Sequence, residues 1–283
     1  MNKMQAIGAP FPLEYSSNSN LKPKSFEWTV KDCPITVFID SAIAGGIQWQ
    51  KTNKTSLKVA WVCESRSIFH EYSFPVDTWE NHIEKIASSY DYIFVSDRRW
   101  CDKVSNIKLC FAGSNMPWIS PVSEVTLKTK LVSLIASKKK LTFGHKLRHL
   151  LAEKYKDKLD LYGAGIASTR FGEREIPWPD KSEATIPYMF SVVIENDRYT
   201  TYFTEKLTDC FASGTVPIYW GAPDIENYFN KDGIILLTPD FDFSTLTPEL
   251  YASKSEAVKD NLERVKRMEL SDDVLYSIVK DLL

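Results

Sequence analysis

At 283 residues, with 43% apolar and 25% charged side chains, the chain has the composition of a globular protein long enough for two cores of ordinary domain size. A formal charge of −2 argues against a dedicated nucleic-acid binder, which needs a clear surplus of Lys and Arg. The five cysteines (Cys33, Cys63, Cys101, Cys110, Cys210) are odd in number, widely spread and free of C-x-x-C, a pattern of reduced thiols rather than of a disulfide frame or zinc site. No apolar run approaches the ~20 residues of a membrane span, and the opening residues are polar and proline-bearing rather than signal-like.

Residues 1–33, rich in Pro, Ser and Asn, read as an irregular arm. Short apolar runs follow at Ile35–Ile39, Val59–Cys63, Tyr92–Val95 and Ile107–Phe111. Among the stretches separating them, Thr78 to Ser89 reads as a helix with Trp79, His82, Ile83 and Ile86 on one face. Alternating strands and helices predict a parallel sheet. The stretch Leu127 to Lys158 reads as basic and helical, with ten Lys or Arg from Lys128 onward against Glu153 and Asp157 only. Without an interleaved aromatic platform, that surplus reads as a partly solvated helix face and not a nucleic-acid patch. A strand ending at Leu159–Tyr162 and a Pro- and Glu-containing loop to Pro187 come next. After Phe243 two terminal helices are expected, Pro248 opening the first and Ser271-Asp272-Asp273 capping the second.

The run from Tyr188 to Phe229 carries the most functional information. A strand-like stretch, Phe190 to Ile194, turns polar at Glu195-Asn196. Order resumes at Thr204-Glu205-Lys206 in a short helix with Leu207, Cys210 and Phe211 on one face and Gly214 as C-terminal cap. A second strand, Thr215 to Tyr219, ends at Trp220-Gly221. A carboxylate, an amide and a lysine therefore gather at the carboxyl edge of a strand, where open α/β sheets bind ligands.

These residues resemble the donor-binding signature of glycosyltransferase family 10, the α1,3/4-fucosyltransferases. The family's E-N-S, Y-x-T-E-K and G-T-x-P-x-x-x-G elements are matched in order by Glu195-Asn196-Asp197, Tyr202-Phe203-Thr204-Glu205-Lys206 and Gly214-Thr215-Val216-Pro217-Ile218-Tyr219-Trp220-Gly221. Asp197 replaces the usual serine and Phe203 an aliphatic residue, and neither change removes a charge. The resemblance implies an α/β, GT-B-like fold of two Rossmann-like domains facing a central cleft. On that reading 1–125 is the acceptor-side domain, 126–245 the nucleotide-sugar donor domain and 246–283 C-terminal helices. It also implies an inverting transfer of L-fucose from GDP-fucose to a hydroxyl of a glycan acceptor. Two alternatives stay open: a transferase on the same scaffold using another nucleotide sugar, and a non-catalytic nucleotide-sugar or glycan-binding protein. Eukaryotic members carry a membrane anchor and lumenal disulfides; lacking both signals, this chain resembles the cytoplasmic bacterial or viral kind.

An inverting transfer needs a base for the acceptor hydroxyl and positive charge for the departing nucleoside diphosphate. Lys206, in the first turn of a helix whose free N–H groups favour an anion, is the first expected cation. The family's phosphate-contacting arginine maps to Arg148, with Lys146 the alternative under a shorter loop; a guanidinium fork suits two phosphate oxygens. Glu195, Asn196, Tyr202, Thr204 and Glu205 complete the expected donor site, the carboxylates holding sugar or ribose hydroxyls. The general base maps to Glu64, after the strand that ends at Cys63, although Cys63 and Ser65 depart from the family's G-E-N element. A strand-end glutamate pairing with Arg66 or Arg98 is the competing explanation, and Glu195 and Glu205 are fallback bases. No cofactor and no obligatory metal are expected: Asp240-Phe241-Asp242 follows a late strand, Gly233 to Leu237, without a phosphate site beside it. Gly163-Ala164-Gly165 lacks the third glycine of a dinucleotide fingerprint, and the sequon Asn53-Lys54-Thr55 reads as a loop.

Overall fold

Continuous apolar runs such as Ile35–Ile39 and Tyr92–Val95 are buried on both faces, as strands flanked by helices on each side must be. The computed structural model describes residues 2–18, 20–50, 56–113, 115–164, 175–176 and 181–282. The sequon at 53–55, Gly165 and most of the loop preceding Pro187 lie outside the described residues.

The first sheet contains β1 (Asn2–Ile7), β2 (Phe26–Thr29), β3 (Ile35–Ile39), β4 (Leu57–Trp61), β5 (Tyr92–Val95) and β6 (Ile107–Leu109). Its strands are parallel, in the order β2-β1-β3-β4-β5-β6. Helices α1 (Ala42–Gly46), α2 (Arg66–Tyr72), α3 (Val76–Ala87) and α4 (Arg98–Cys101) connect them. Alternate residues feed opposite cores: Val37 and Ile39 pack with Val59 and Trp61, while Phe38 joins Ile93 and the α3 residues Trp79, Ile83 and Ile86. His82, expected on that face, is exposed.

The second sheet contains β7 (Lys130–Ala136), β8 (Asp160–Ala164), β9 (Glu175–Ile176), β10 (Tyr188–Ile194), β11 (Val216–Trp220) and β12 (Ile235–Leu236), parallel and ordered β12-β11-β10-β7-β8-β9. Helix α5 (Phe143–Lys154) follows β7, α6 (Ser182–Thr185) precedes β10, and α7 (Glu205–Ala212) joins β10 to β11. Beyond β12 come α8 (Pro248–Ser253), α9 (Ser255–Lys266) and α10 (Ser271–Val279). Val132, Leu134, Phe190, Val192, Val216 and Ile218 form this sheet's core with Leu151 of α5 and Val258 of α9.

Several expectations need correction. The arm 1–33 contains β1 and β2, and the stretch Leu127 to Lys158 is a strand followed by a helix. Leu131 to Ala136 is apolar enough for a central strand; the flanking lysines disguised it. Three terminal helices replace two, and Asp272 is no simple cap. Its buried carboxylate accepts from Ser17 N (3.1 Å), Ser17 Oγ (2.6 Å) and Trp28 Nε1 (2.8 Å). This contact and the apolar face Leu275, Tyr276 and Val279 tie α10 to the first sheet. The chain accordingly divides into one unit of 1–115, 200–202 and 269–283 and another of 116–199 and 203–268, instead of 1–125, 126–245 and 246–283. All five cysteines are free thiols, and no helix among the described residues is long and apolar enough to cross a membrane.

Candidate functional site

In the second sheet β7 leads to β8 on one side, and the chain then returns as β10 on the other. The connections leaving β7 and β10 thus diverge at their carboxyl ends, the place where open parallel sheets form a ligand crevice. Helix α5 starts there from β7, and Glu195-Asn196 lies there at the end of β10. The two segments touch: Gly144 N donates to Asn196 O at 3.3 Å. A Cβ on Gly144 would overlap the Glu195 carbonyl oxygen, so only glycine allows this approach.

Thr142 caps α5 in a reciprocal box. Its Oγ1 accepts from His145 N (3.1 Å), and its own N–H donates to His145 Nδ1 (3.2 Å), placing the neutral ring's proton on Nε2. Burial and then the cations Arg148, Lys206 and Lys139 push His145 down to about 3, so the ring is uncharged at neutral pH. Arg148 is buried: Nε and Nη2 donate to Ile194 O (2.9 and 2.6 Å), and Nη2 also donates to Asn196 Oδ1 (2.9 Å). Arg148 therefore fixes the β10 terminus and the Asn196 amide. Lys146, the alternative phosphate contact, is exposed.

Glu195 is fully buried, its Oε1 accepting from Thr204 N (2.9 Å) and its Oε2 from Thr204 Oγ1 (2.8 Å). Thr204 is the N-cap of α7, so Glu195 orients that helix start; contact with sugar hydroxyls would require it to share these bonds. At the other end of α7, Thr215 N bonds Cys210 O (2.9 Å), Gly214 N bonds Phe211 O (3.0 Å) and Gly214 has φ +67°, a Schellman cap. Lys206 Nζ meets Thr204 Oγ1 (3.0 Å), Glu205 Oε1 (3.2 Å) and Glu195 Oε2 (3.8 Å), with its side chain 26% exposed. The N-termini of α5 and α7 thereby bring Arg148, Lys206 and the His145 imidazole to one sheet edge. Tyr202 is buried and belongs to the first unit.

Beneath Lys206 lies a charge network that the sequence did not reveal. Lys181 Nζ pairs with Glu205 Oε1 (3.1 Å) and Asp209 Oδ2 (2.9 Å), and it stands over the Trp118 ring at 4.4 Å. Asp209 Oδ1 in turn accepts from Trp118 N (2.8 Å) and Ile119 N (3.2 Å). Burial alone would raise the Glu205 carboxyl, but Lys181 and Lys206 overcome it and hold it at about 2. A carboxyl held so low is a poor general base. Because its unperturbed value is 4.5, its stabilising contribution is complete above that pH and is lost as pH falls through about 2. Lys181→Met leaves buried Asp209 without Lys181 and Glu205 with Lys206 alone, so urea denaturation is expected to show a loss of about 3–5 kcal/mol. A change under about 1 kcal/mol would show the network to be dispensable.

At the rim of the same edge Phe143 (62% exposed) faces Trp220, ring centroids 5.3 Å apart, an aromatic surface formed only when α5 and β11 come together.

In the first unit, half-buried Glu64 follows β4, and its N–H donates to Asp40 Oδ1 at 3.2 Å. Arg66, the competing partner, pairs with Asp97 (2.6 Å), which Arg99 also holds (2.9 Å). Asp242 of the D-x-D caps a short helical turn, accepting from Ser244 N (2.9 Å) and Ser244 Oγ (2.6 Å). Among the described residues no cluster of three or more His, Cys, Asp or Glu could hold a metal ion.

Residues 125–254 match the model of the glycosyltransferase family 10 (fucosyltransferase) C-terminal domain. An α-(1,3)-fucosyltransferase of Helicobacter pylori is 38% identical over 56 residues, 20% of this chain and 12% of that protein. The alignment thus spans about an eighth of the relative's length. The crystal structure of an α1,3-fucosyltransferase with GDP aligns over 92% of this chain and 81% of its own at 15% identity and a TM-score of 0.44. The pneumococcal O-GlcNAc transferase GtfA with UDP and GlcNAc aligns over 88% and 54% at 13% identity and a TM-score of 0.43. Residues 125–254 are thus similar to the C-terminal domain of the fucosyltransferases of glycosyltransferase family 10.

Proposed function

We propose that the protein is an inverting glycosyltransferase that moves L-fucose from GDP-fucose to a hydroxyl of a glycan acceptor. The observation that carries this reading is the meeting of two capped helix N-termini with Lys206, Arg148 and Asn196 at the switch point of the second sheet. Helix N-termini and cations together favour a diphosphate. When the fucose C1–O bond breaks, its electron pair leaves on the nucleoside diphosphate, and Lys206 stabilises that charge while remaining anchored to Thr204 and Glu205. Arg148, fixed on Ile194 and Asn196, adds a second cation beside it. The acceptor oxygen attacks C1 from the opposite face, and its proton passes to Glu64.

The reaction needs no divalent metal on this reading, because side-chain cations and helix N-termini supply the positive charge. One assay tests both points: isotope-labelled GDP-fucose, GDP-mannose and UDP-sugars are offered with a glycan panel in excess EDTA, scoring transfer and slow hydrolysis. Turnover of GDP-fucose alone is the expected outcome. Use of a different donor would indicate another transferase on this scaffold, and binding without turnover a silent protein. Loss in EDTA restored by Mn²⁺ or Mg²⁺ would promote Asp240 and Asp242 to metal ligands.

A further inference from the structure

The first sheet has a switch point of its own. From β1 the chain goes to β2 on one side and then returns as β3 on the other. The two strands that flank this crevice end at Gly8, with φ +77°, and at Asp40, with φ +44°. A non-glycine residue in the left-handed region is strained, and such strain gathers where a side chain must be aimed. Here the aim is toward the end of β4: Asp40 Oδ1 accepts from Cys63 N at 2.9 Å and from Glu64 N at 3.2 Å. Its other oxygen, Oδ2, is buried and has no hydrogen-bond partner among the described residues; the neighbouring Ser65 Oγ is likewise buried and unpartnered. Leaving a buried carboxylate oxygen unsatisfied costs stability, so nothing in packing alone accounts for an acid at this position.

Resting on the assignment of Glu64 as base, we propose that Asp40 is its positioning residue: it fixes the Cys63–Glu64 backbone through Oδ1 and, once ionised, holds a negative charge beside the base. Burial and then the Glu64 charge raise the Asp40 carboxyl to about 7, against the two backbone N–H groups that lower it. Ionised Asp40 stabilises the acceptor's proton electrostatically as it arrives at this end of β4. Of the other charges at this edge, Arg66 and Arg99 pair with Asp97, and Asp272 accepts from Ser17 and Trp28. The Cys63 thiol, adjoining both Asp40 and Asp272, is kept protonated by burial. Turnover should therefore rise as pH passes through about 7 and Asp40 ionises. The sign for stability is opposite. The folded chain retains a proton that an unperturbed aspartate, at 3.8, has released, so stability falls as pH rises from there to about 7.

Asp40→Asn separates the alternatives, because asparagine tolerates positive φ and keeps an oxygen for the two N–H groups. The variant should be at least as stable as wild type at pH 8, yet turn over about three- to tenfold more slowly with an unchanged donor KM and without the rise near pH 7. A residue that only holds the loop would be rescued by Asn. Independently of activity, the Asp40 carboxyl followed by ¹³C NMR should titrate near 7 and move down by about one unit in Glu64→Gln. An unmoved Asp40 titration, or an Asp40→Asn pH profile matching wild type, overturns the inference. Wild-type turnover in Glu64→Gln beside a shifted titration would instead keep the coupled pair and remove Glu64 as the base.

Discussion

Glu64→Gln is expected to lower turnover by about 10²–10⁴ while leaving GDP-fucose binding intact. Glutamine keeps the shape of the side chain, and the Glu64 N–H bond to Asp40 is a backbone contact that the substitution does not touch. Only the capacity to take a proton is lost. The acidic limb of the pH–rate profile should flatten in the same variant. Glu205→Gln, run in parallel, should behave differently. With its carboxyl held at about 2, Glu205 is already ionised throughout the working range, so its loss should weaken donor binding through Lys206 and leave the acidic limb in place. Turnover of Glu64→Gln within about threefold of wild type, under 1 kcal/mol, would make Glu64 structural and return the search to Glu195 and the other acids.

Lys206→Ala is expected to remove roughly 2–4 kcal/mol of transition-state stabilisation, and GDP affinity should fall with it. The size follows from position. Lys206 sits in the first turn of α7, held by Thr204 Oγ1 and Glu205 Oε1, with its side chain only 26% exposed, so its charge acts through a partly desolvated medium. Arg148→Ala should cost as much, but for two reasons, since Arg148 also anchors Ile194 O and Asn196 Oδ1. Arg148→Lys distinguishes them: a lysine keeps the charge and loses the fork. If charge alone matters, Arg148→Lys recovers most of the GDP affinity. Unchanged calorimetric GDP binding in both alanine variants would remove the diphosphate assignment.

The segment from Thr204 to Gly214 was legible because its signals are local. Thr204 caps, Leu207, Cys210 and Phe211 share a face and Gly214 terminates, and all of these lie within one helix and its ends. Residues set by distant partners were not legible. Lys181 follows Pro177 and Pro179 in sequence and is 24 and 28 positions from Glu205 and Asp209, so nothing local marks it as buried. Asp40 follows an ordinary strand, and only the β3–β4 pairing turns it onto Cys63 and Glu64. Strand β7 was hidden for a related reason: its lysine-rich flanks read as helix, while its central place between β10 and β8 is a tertiary fact. Arg148 was singled out by its place in the family pattern, but its bonds to the β10 terminus were not legible, because they require α5 to lie across that strand end.

The most direct test of the donor site is calorimetry of the wild-type protein with GDP-fucose, GDP and guanosine. Binding of GDP-fucose and GDP at least about 30-fold tighter than guanosine, roughly 2 kcal/mol carried by the diphosphate, is expected. Equal affinities for GDP and guanosine, or no heat from any of the three, would contradict a diphosphate held between the N-termini of α5 and α7.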